Sequence, residues 1–210
     1  MLNKKLKKVN YFRFLQLLIV NNKNKEFLEV VFLLENELLR IFNATEDQNL
    51  RLIKYQWYLD ETKKKSSEHF LVDEIIILKT KFEFRSLFEN LIAEYQKLSI
   101  QMNHHDKIFF IFEKISRLYN QIIKLIMPDS HQLYQTSPLF QFCYFLYHSE
   151  IQKYPYENVK NLISEYDDTK INYFEKIFCK CFLKSYKNNK RKKISKIEYI
   201  FYIFVGIFIK

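Results

Sequence analysis

Glycine is nearly absent: the 210-residue chain holds one, Gly206, beside three prolines, three cysteines and a single tryptophan. Tight hairpins, bulges and phosphate-cradling loops need residues that tolerate positive φ, usually glycine. P-loops, dinucleotide-binding folds and most barrels or sandwiches are therefore excluded. Cys143, Cys179 and Cys181 are an odd set without metal-site spacing. A Cys-x-Cys pair within a helical pattern points its thiols to different faces, so neither a disulfide framework nor a zinc site is expected, and a reducing compartment fits. No apolar run approaches the roughly 20 residues that a membrane-crossing helix needs.

The chain has 48% hydrophobic residues, with 21 Phe and 15 Tyr, ample for one sizeable core. Length and composition predict a single all-α domain over residues 1–210. The formal charge is +10. Lysine, asparagine, isoleucine, phenylalanine and tyrosine crowd the whole chain. The charge is therefore read first as compositional drift on solvated helix faces, and only then as a sign of partners.

Met1 to Lys8 is basic and Phe12 to Val20 is largely apolar, but Arg13 and Gln16 interrupt that stretch and no small-residue cleavage site follows. It predicts a first helix rather than an export signal. Helical spacing of Phe27, Val30, Val31, Leu34, Leu38 and Ile41 predicts a helix over 26–43. Thr45 with Gln48 has capping-box spacing for the next helix, which runs past Trp57. Lys63 to Ser67 reads as a loop, with Ser66 or Ser67 capping a helix through Leu78, and another helix spans Phe84 to Ile100.

Ile108, Phe112, Ile115, Tyr119, Ile122 and Ile126 form the most regular stripe, stopped by Pro128. Pro138 should kink the helix of Gln132–Tyr147 or mark its first turn. A short helix over 158–166 follows, then one capped by Asp167 or Asp168 that carries Ile171, Phe174, Phe178 and Phe182. Residues 194–210 predict an apolar C-terminal helix. It is expected to dock on the bundle as a core helix or, with Lys190 to Lys193 just upstream, to touch an anionic membrane surface.

The block Asn36-Glu37-Leu38-Leu39-Arg40-Ile41, followed by Ile53-Lys54-Tyr55-Gln56-Trp57-Tyr58-Leu59-Asp60, resembles the squalene/phytoene synthase family. It is most similar to the divergent bacterial branch, with Glu37, Lys54 and Trp57 as the signature residues. Lys54 stands where that family has arginine and Tyr58 where it has a second tryptophan. Leu91-Ile92-Ala93-Glu94 and Tyr154-Pro155 resemble later segments, so the resemblance spans about Phe27 to Leu162.

The resemblance implies a bundle of about 8–10 helices, similar to the isoprenoid synthase fold, around a central apolar cavity. Active members hold Mg²⁺ on two aspartate-rich helices, because a hard cation bridging diphosphates wants several carboxylates on one face. Carried over, the first motif falls on Leu39, Arg40 and Asn43, and the second on Cys143 to His148, with Tyr144 and His148 lining the cavity. None of these is a carboxylate, and Glu150 is the nearest. No catalytic, cofactor or metal residue is expected.

The resemblance thus implies a non-catalytic protein. That branch includes a mitochondrial complex I assembly factor, which points to assembly or scaffolding of a respiratory membrane complex. The expected setting is cytoplasmic, with contact at the inner face of the membrane, a protein partner and room for a lipid or isoprenoid in the cavity as further expectations. The alternative is an active head-to-head prenyl diphosphate transferase, using Mg²⁺ on displaced ligands. Histidines 104, 105, 131 and 148 form no metal-binding pattern. The dense aromatics Tyr134, Phe140, Phe142, Tyr144, Phe145 and Tyr147 are expected to pack the core, not to stack on nucleic acid.

Overall fold

The computed structural model describes residues 2–18, 24–84, 86–101, 105–129, 131, 134–148, 156–166 and 173–187. Among the described residues all regular structure is helical, in ten helices. They are α1 (Leu2–Val9), α2 (Tyr11–Leu18), α3 (Lys25–Asn43), α4 (Gln48–Glu61), α5 (Phe70–Phe82), α6 (Leu87–Gln101), α7 (His105–Ile126), α8 (Pro138–His148), α9 (Tyr156–Glu165) and α10 (Tyr173–Lys187). The expected all-α bundle is what forms.

The hub is α3, which touches α1, α2, α4, α5, α6, α7 and α8. Its run from Leu28 to Glu35 is buried on every side, as a helix surrounded by others must be. In contrast, α7 buries one face only, and all six residues of its predicted stripe lie in the core. It packs between α6 and α8. At its end, Asn24 Nδ2 donates to the carbonyl of Ile126 at 2.6 Å, joining α7 to the start of α3.

Local chemistry sets the boundaries, and several differ from expectation. The N-terminal helix is two helices, broken at Asn10, whose Oδ1 accepts from the Arg13 N–H at 3.1 Å and caps α2. The α4 cap is Asp47 rather than Thr45, because the Asp47 carboxylate reaches the N–H groups of Asn49 and Leu50. Neither Ser66 nor Ser67 caps α5. Ser67 braces the loop instead, donating to Glu61 Oε2 at 2.8 Å and accepting from the His69 N–H at 3.2 Å.

Helix α5 runs on to Phe82 and ends on Glu83, which takes the left-handed conformation at φ 53°. Lys79 then ties the loop to the bundle, donating to the Thr62 carbonyl at 2.8 Å and pairing with Glu89 of α6. Pro138 marks the first turn of α8, with Ser137 Oγ accepting from the Phe140 N–H at 3.1 Å. His104, Glu150, Tyr154-Pro155, Asp167, Asp168, Ile171 and the 194–210 segment lie outside the described residues.

Candidate functional site

The most concentrated chemistry of the described residues is inside the bundle. Arg13 of α2 is 1% exposed, and its guanidinium lies between the rings of Phe32 at 4.7 Å and Phe140 at 4.3 Å. Flanking rings favour a flat cation, but they cannot satisfy its N–H groups. Glu35 of α3 does so side-on, with Nε to Oε2 at 2.9 Å and Nη2 to Oε1 at 2.8 Å. Nη1 donates to Gln16 Oε1 at 2.9 Å and to Glu175 Oε1 of α10 at 3.4 Å, and Nη2 donates to Thr136 Oγ1 at 3.1 Å. Between them these bonds employ every nitrogen of the guanidinium.

The cluster is joined on its far side. Gln141 Nε2 donates to Glu35 Oε1 at 2.6 Å and to Thr136 Oγ1 at 3.0 Å. The Ser137 N–H donates to Glu175 Oε2 at 2.9 Å. Thr136 is clamped by α7, its N–H donating to Asn120 Oδ1 at 2.7 Å and its carbonyl accepting from Asn120 Nδ2 at 3.0 Å and from Ser116. Arg13 therefore connects α2, α3, α10 and the segment leading into α8.

Electrostatics follow from one cation facing two acids in an apolar box. Burial works against charge on Arg13, but Glu35, and more weakly Glu175, hold it protonated. Burial pushes the Glu175 carboxyl up to about 7, against the opposing pull of Arg13 and of bonds from Ser137 and Thr136. Tyr95, Tyr119 and Tyr144 lie close enough to feel Glu35 and Arg13, and burial keeps all three phenols neutral. His148 stacks edge-on to Tyr144 at 4.4 Å, and burial lowers it to about 4.

The positions singled out from sequence are only partly brought together. Helices α3 and α8 do face each other, but where a cavity is expected between them Phe42 and Phe145 meet at 4.9 Å. Large rings occupy the space that smaller residues would leave open. Leu39 is a core residue, and Asn43 is half-buried, its Oδ1 without a hydrogen-bond partner among the described residues. Arg40 points outward and pairs with Glu37, Nε to Oε2 at 2.8 Å. Burial would raise the Glu37 carboxyl, but bonds to Arg40 and Tyr58 lower it overall.

Lys54 is exposed, and Trp57 is 42% exposed, edge-on to Tyr58 at 4.9 Å and to His69 at 5.5 Å. Tyr144 and His148 lie in the interior near the Arg13 cluster. The Tyr144 Oη and His148 Nε2 find no hydrogen-bond partner among the described residues. The aromatics of α8 are packed inward, with Phe140, Phe142, Tyr144 and Phe145 all buried.

These residues do not fit a Mg²⁺–diphosphate site. Leu39, Arg40, Asn43, Tyr144 and His148 supply no carboxylate, and no group of three His, Cys, Asp or Glu among the described residues could hold a metal. Glu35 and Glu175 do converge one helical turn before Leu39, but on a guanidinium. Hollows occur at the surface of the described residues. One of about 470 Å³ lies beside Trp57, Lys64 and His69, and one of about 540 Å³ beside Arg117, Lys124 and His131. Both open to solvent. No described helix is long and apolar enough to cross a membrane.

What the fold and its interior define is an all-α bundle organised around a buried ion cluster. No family model, no curated protein and no solved structure matches the chain.

Proposed function

We propose that this protein works by binding rather than by turnover: a non-catalytic helical scaffold, related to the divergent squalene/phytoene synthase branch, that serves assembly of a respiratory membrane complex from the cytoplasmic face. The observation that carries the non-catalytic part is the commitment of Glu35 and Glu175 to Arg13. Carboxylates already spent on a buried guanidinium do not serve as hard-cation ligands. The proposed protein partner is supported by α4. Leu50, Ile53 and Trp57 form an apolar stripe, 49%, 63% and 42% exposed, on the side away from the buried Arg51, Tyr55 and Tyr58. The assembly role itself rests on the resemblance of residues 27–162.

The convergence of Glu35 and Glu175 favours a second reading, a head-to-head prenyl diphosphate transferase with displaced ligands. Incubation of the full chain with farnesyl and geranylgeranyl diphosphate, with and without Mg²⁺, separates the two. The scaffold gives no diphosphate release and no metal-dependent binding. Metal-dependent release that disappears in Glu35→Gln or Glu175→Gln would overturn it in favour of the enzyme.

A further inference from the structure

We propose that the hollow between the outer side of α7 and the chain returning to α8 is a binding site for a small phosphate monoester. This goes beyond the scaffold reading and does not rest on it, since no described residue of α3 or α4 lines the hollow. One wall is α7. Arg117, Gln121 and Lys124 follow one another at intervals of four and three, so they share one side of the helix, and all three are exposed. The other wall is the chain that turns back after α7, lining the hollow from His131 to Pro138. The two walls are bolted together. Asn120 holds Thr136 through both its amide atoms, at 2.7 and 3.0 Å, and the buried Ser116 donates to the same Thr136 carbonyl. The concavity is therefore fixed before any ligand arrives, and its volume of about 540 Å³ is in the range of small-molecule sites.

The cations of this wall are not spent on the protein itself. Elsewhere in the bundle Arg40, Lys63, Lys64, Lys97 and Lys160 each pair with a carboxylate three residues earlier. Three residues before Arg117 and Lys124 stand Lys114 and Gln121, and neither cation has an ion pair among the described residues. Seven residues set their Cα atoms roughly 10 Å apart along the axis, a gap that two long side chains can close over Gln121. Across from them His131 Nδ1 lies 2.9 Å from the Pro128 carbonyl. A carbonyl only accepts, so Nδ1 is the donor and Nε2 is the nitrogen left to a ligand.

A guanidinium, an ammonium, an amide and an imidazole around one point suit a phosphoryl group, with up to two charges and three acceptor oxygens. A carboxylate offers one charge and two oxygens. Free phosphate would fill only a corner of the hollow, and the rest of the lining indicates what is attached. Its apolar part is Pro138 and the Tyr166 ring. Tyr166 meets Phe109 of α7 edge-on at 6.3 Å, which places it at the end of the hollow marked by Glu113, one turn further along α7. An apolar wall ending in a carboxylate suits a compact organic group that carries a hydroxyl or amino donor. The phosphate then lies toward Lys124 and His131, and the donor toward Glu113.

Isothermal titration calorimetry of the full chain at about 150 mM salt, without Mg²⁺, tests this with inorganic phosphate, glycerol phosphate, adenosine monophosphate and adenosine as probes. At least one of the two esters should bind about tenfold more tightly than inorganic phosphate, and adenosine should not bind. Arg117→Gln/Lys124→Gln, which removes both cations from exposed positions, should weaken that ester about tenfold or more. Lys63→Gln/Lys160→Gln removes as much exposed charge elsewhere and should leave it within about twofold. On the unsubstituted chain the ester should shift the amide resonances of α7 from Arg117 to Lys124 more than those of α4. Esters that bind no better than inorganic phosphate, binding unchanged in Arg117→Gln/Lys124→Gln, binding weakened equally in Lys63→Gln/Lys160→Gln, or shifts centred away from α7 would each overturn the proposal. Such a failure leaves the scaffold reading standing, because that reading is tested with Mg²⁺ and prenyl diphosphates.

Discussion

Replacing Arg13 by methionine removes the cation but keeps most of the side-chain volume between Phe32 and Phe140. Glu35 then loses both its side-on bonds, Gln16 and Thr136 each lose a donor, and Glu175 loses the opposing charge of Arg13. Breaking a buried ion pair by removing one partner costs about 3–5 kcal/mol, because the remaining charge stays desolvated. That is a large part of the roughly 5–15 kcal/mol that holds an ordinary domain together.

Equilibrium urea unfolding followed by far-UV circular dichroism measures it. With a slope of about 2 kcal/mol/M, the midpoint of Arg13→Met should fall by roughly 2 M at neutral pH. The neutral triple variant R13M/E35Q/E175Q keeps an acceptor for Gln141 Nε2 and for the Ser137 N–H, yet buries no charge. It should recover more than half of the loss, since a charge-free cluster of similar shape comes close to break-even. A midpoint within about 0.5 M of the parent in the single variant, or a triple variant no better than the single, would refute the reasoning.

Two further outcomes test the helix ends. Glu83→Gly should stabilise the chain by about 0.5–1 kcal/mol in the same urea assay, because Glu83 holds φ 53° at the end of α5, where a side chain is strained and glycine is not. Asp47→Ala should cost about 0.5–2 kcal/mol by removing the acceptor for two α4 N–H groups, and Thr45→Ala clearly less; the two variants' urea midpoints decide the order.

The legible parts of the fold were those with a local signal. The α7 stripe steps by four and three, and each of its residues lies in the core. Pro128 and Pro138 mark a stop and a start because proline acts through its own missing N–H. Helix α3 was found by its apolar spacing, though burial all round hid that it is the hub. The ion cluster was not legible. Arg13 and Gln16 stand out in the sequence only as breaks in an apolar stretch, and Glu35 and Glu175 look like any other helix glutamates. Their partners lie 22 and 162 residues from Arg13, and neither period nor composition carries information over that span. The α4 boundary slipped for a smaller reason: Thr45 and Asp47 both suit a cap, and only geometry shows the Asp47 carboxylate reaching the free N–H groups.

The 162-residue span between Arg13 and Glu175 has a consequence for the chain as it is made. At ordinary elongation rates roughly ten to thirty seconds separate synthesis of the two residues. In that interval Arg13 can take Glu35, which follows it closely, but the Ser137 N–H has no acceptor and α8 has no lid. The nascent bundle therefore finishes late, when its last described helix supplies the second acid. A chain released before residue 175 would leave the apolar flank of α8, with Phe140 and Tyr144, open to whatever chaperone or neighbouring chain meets it first.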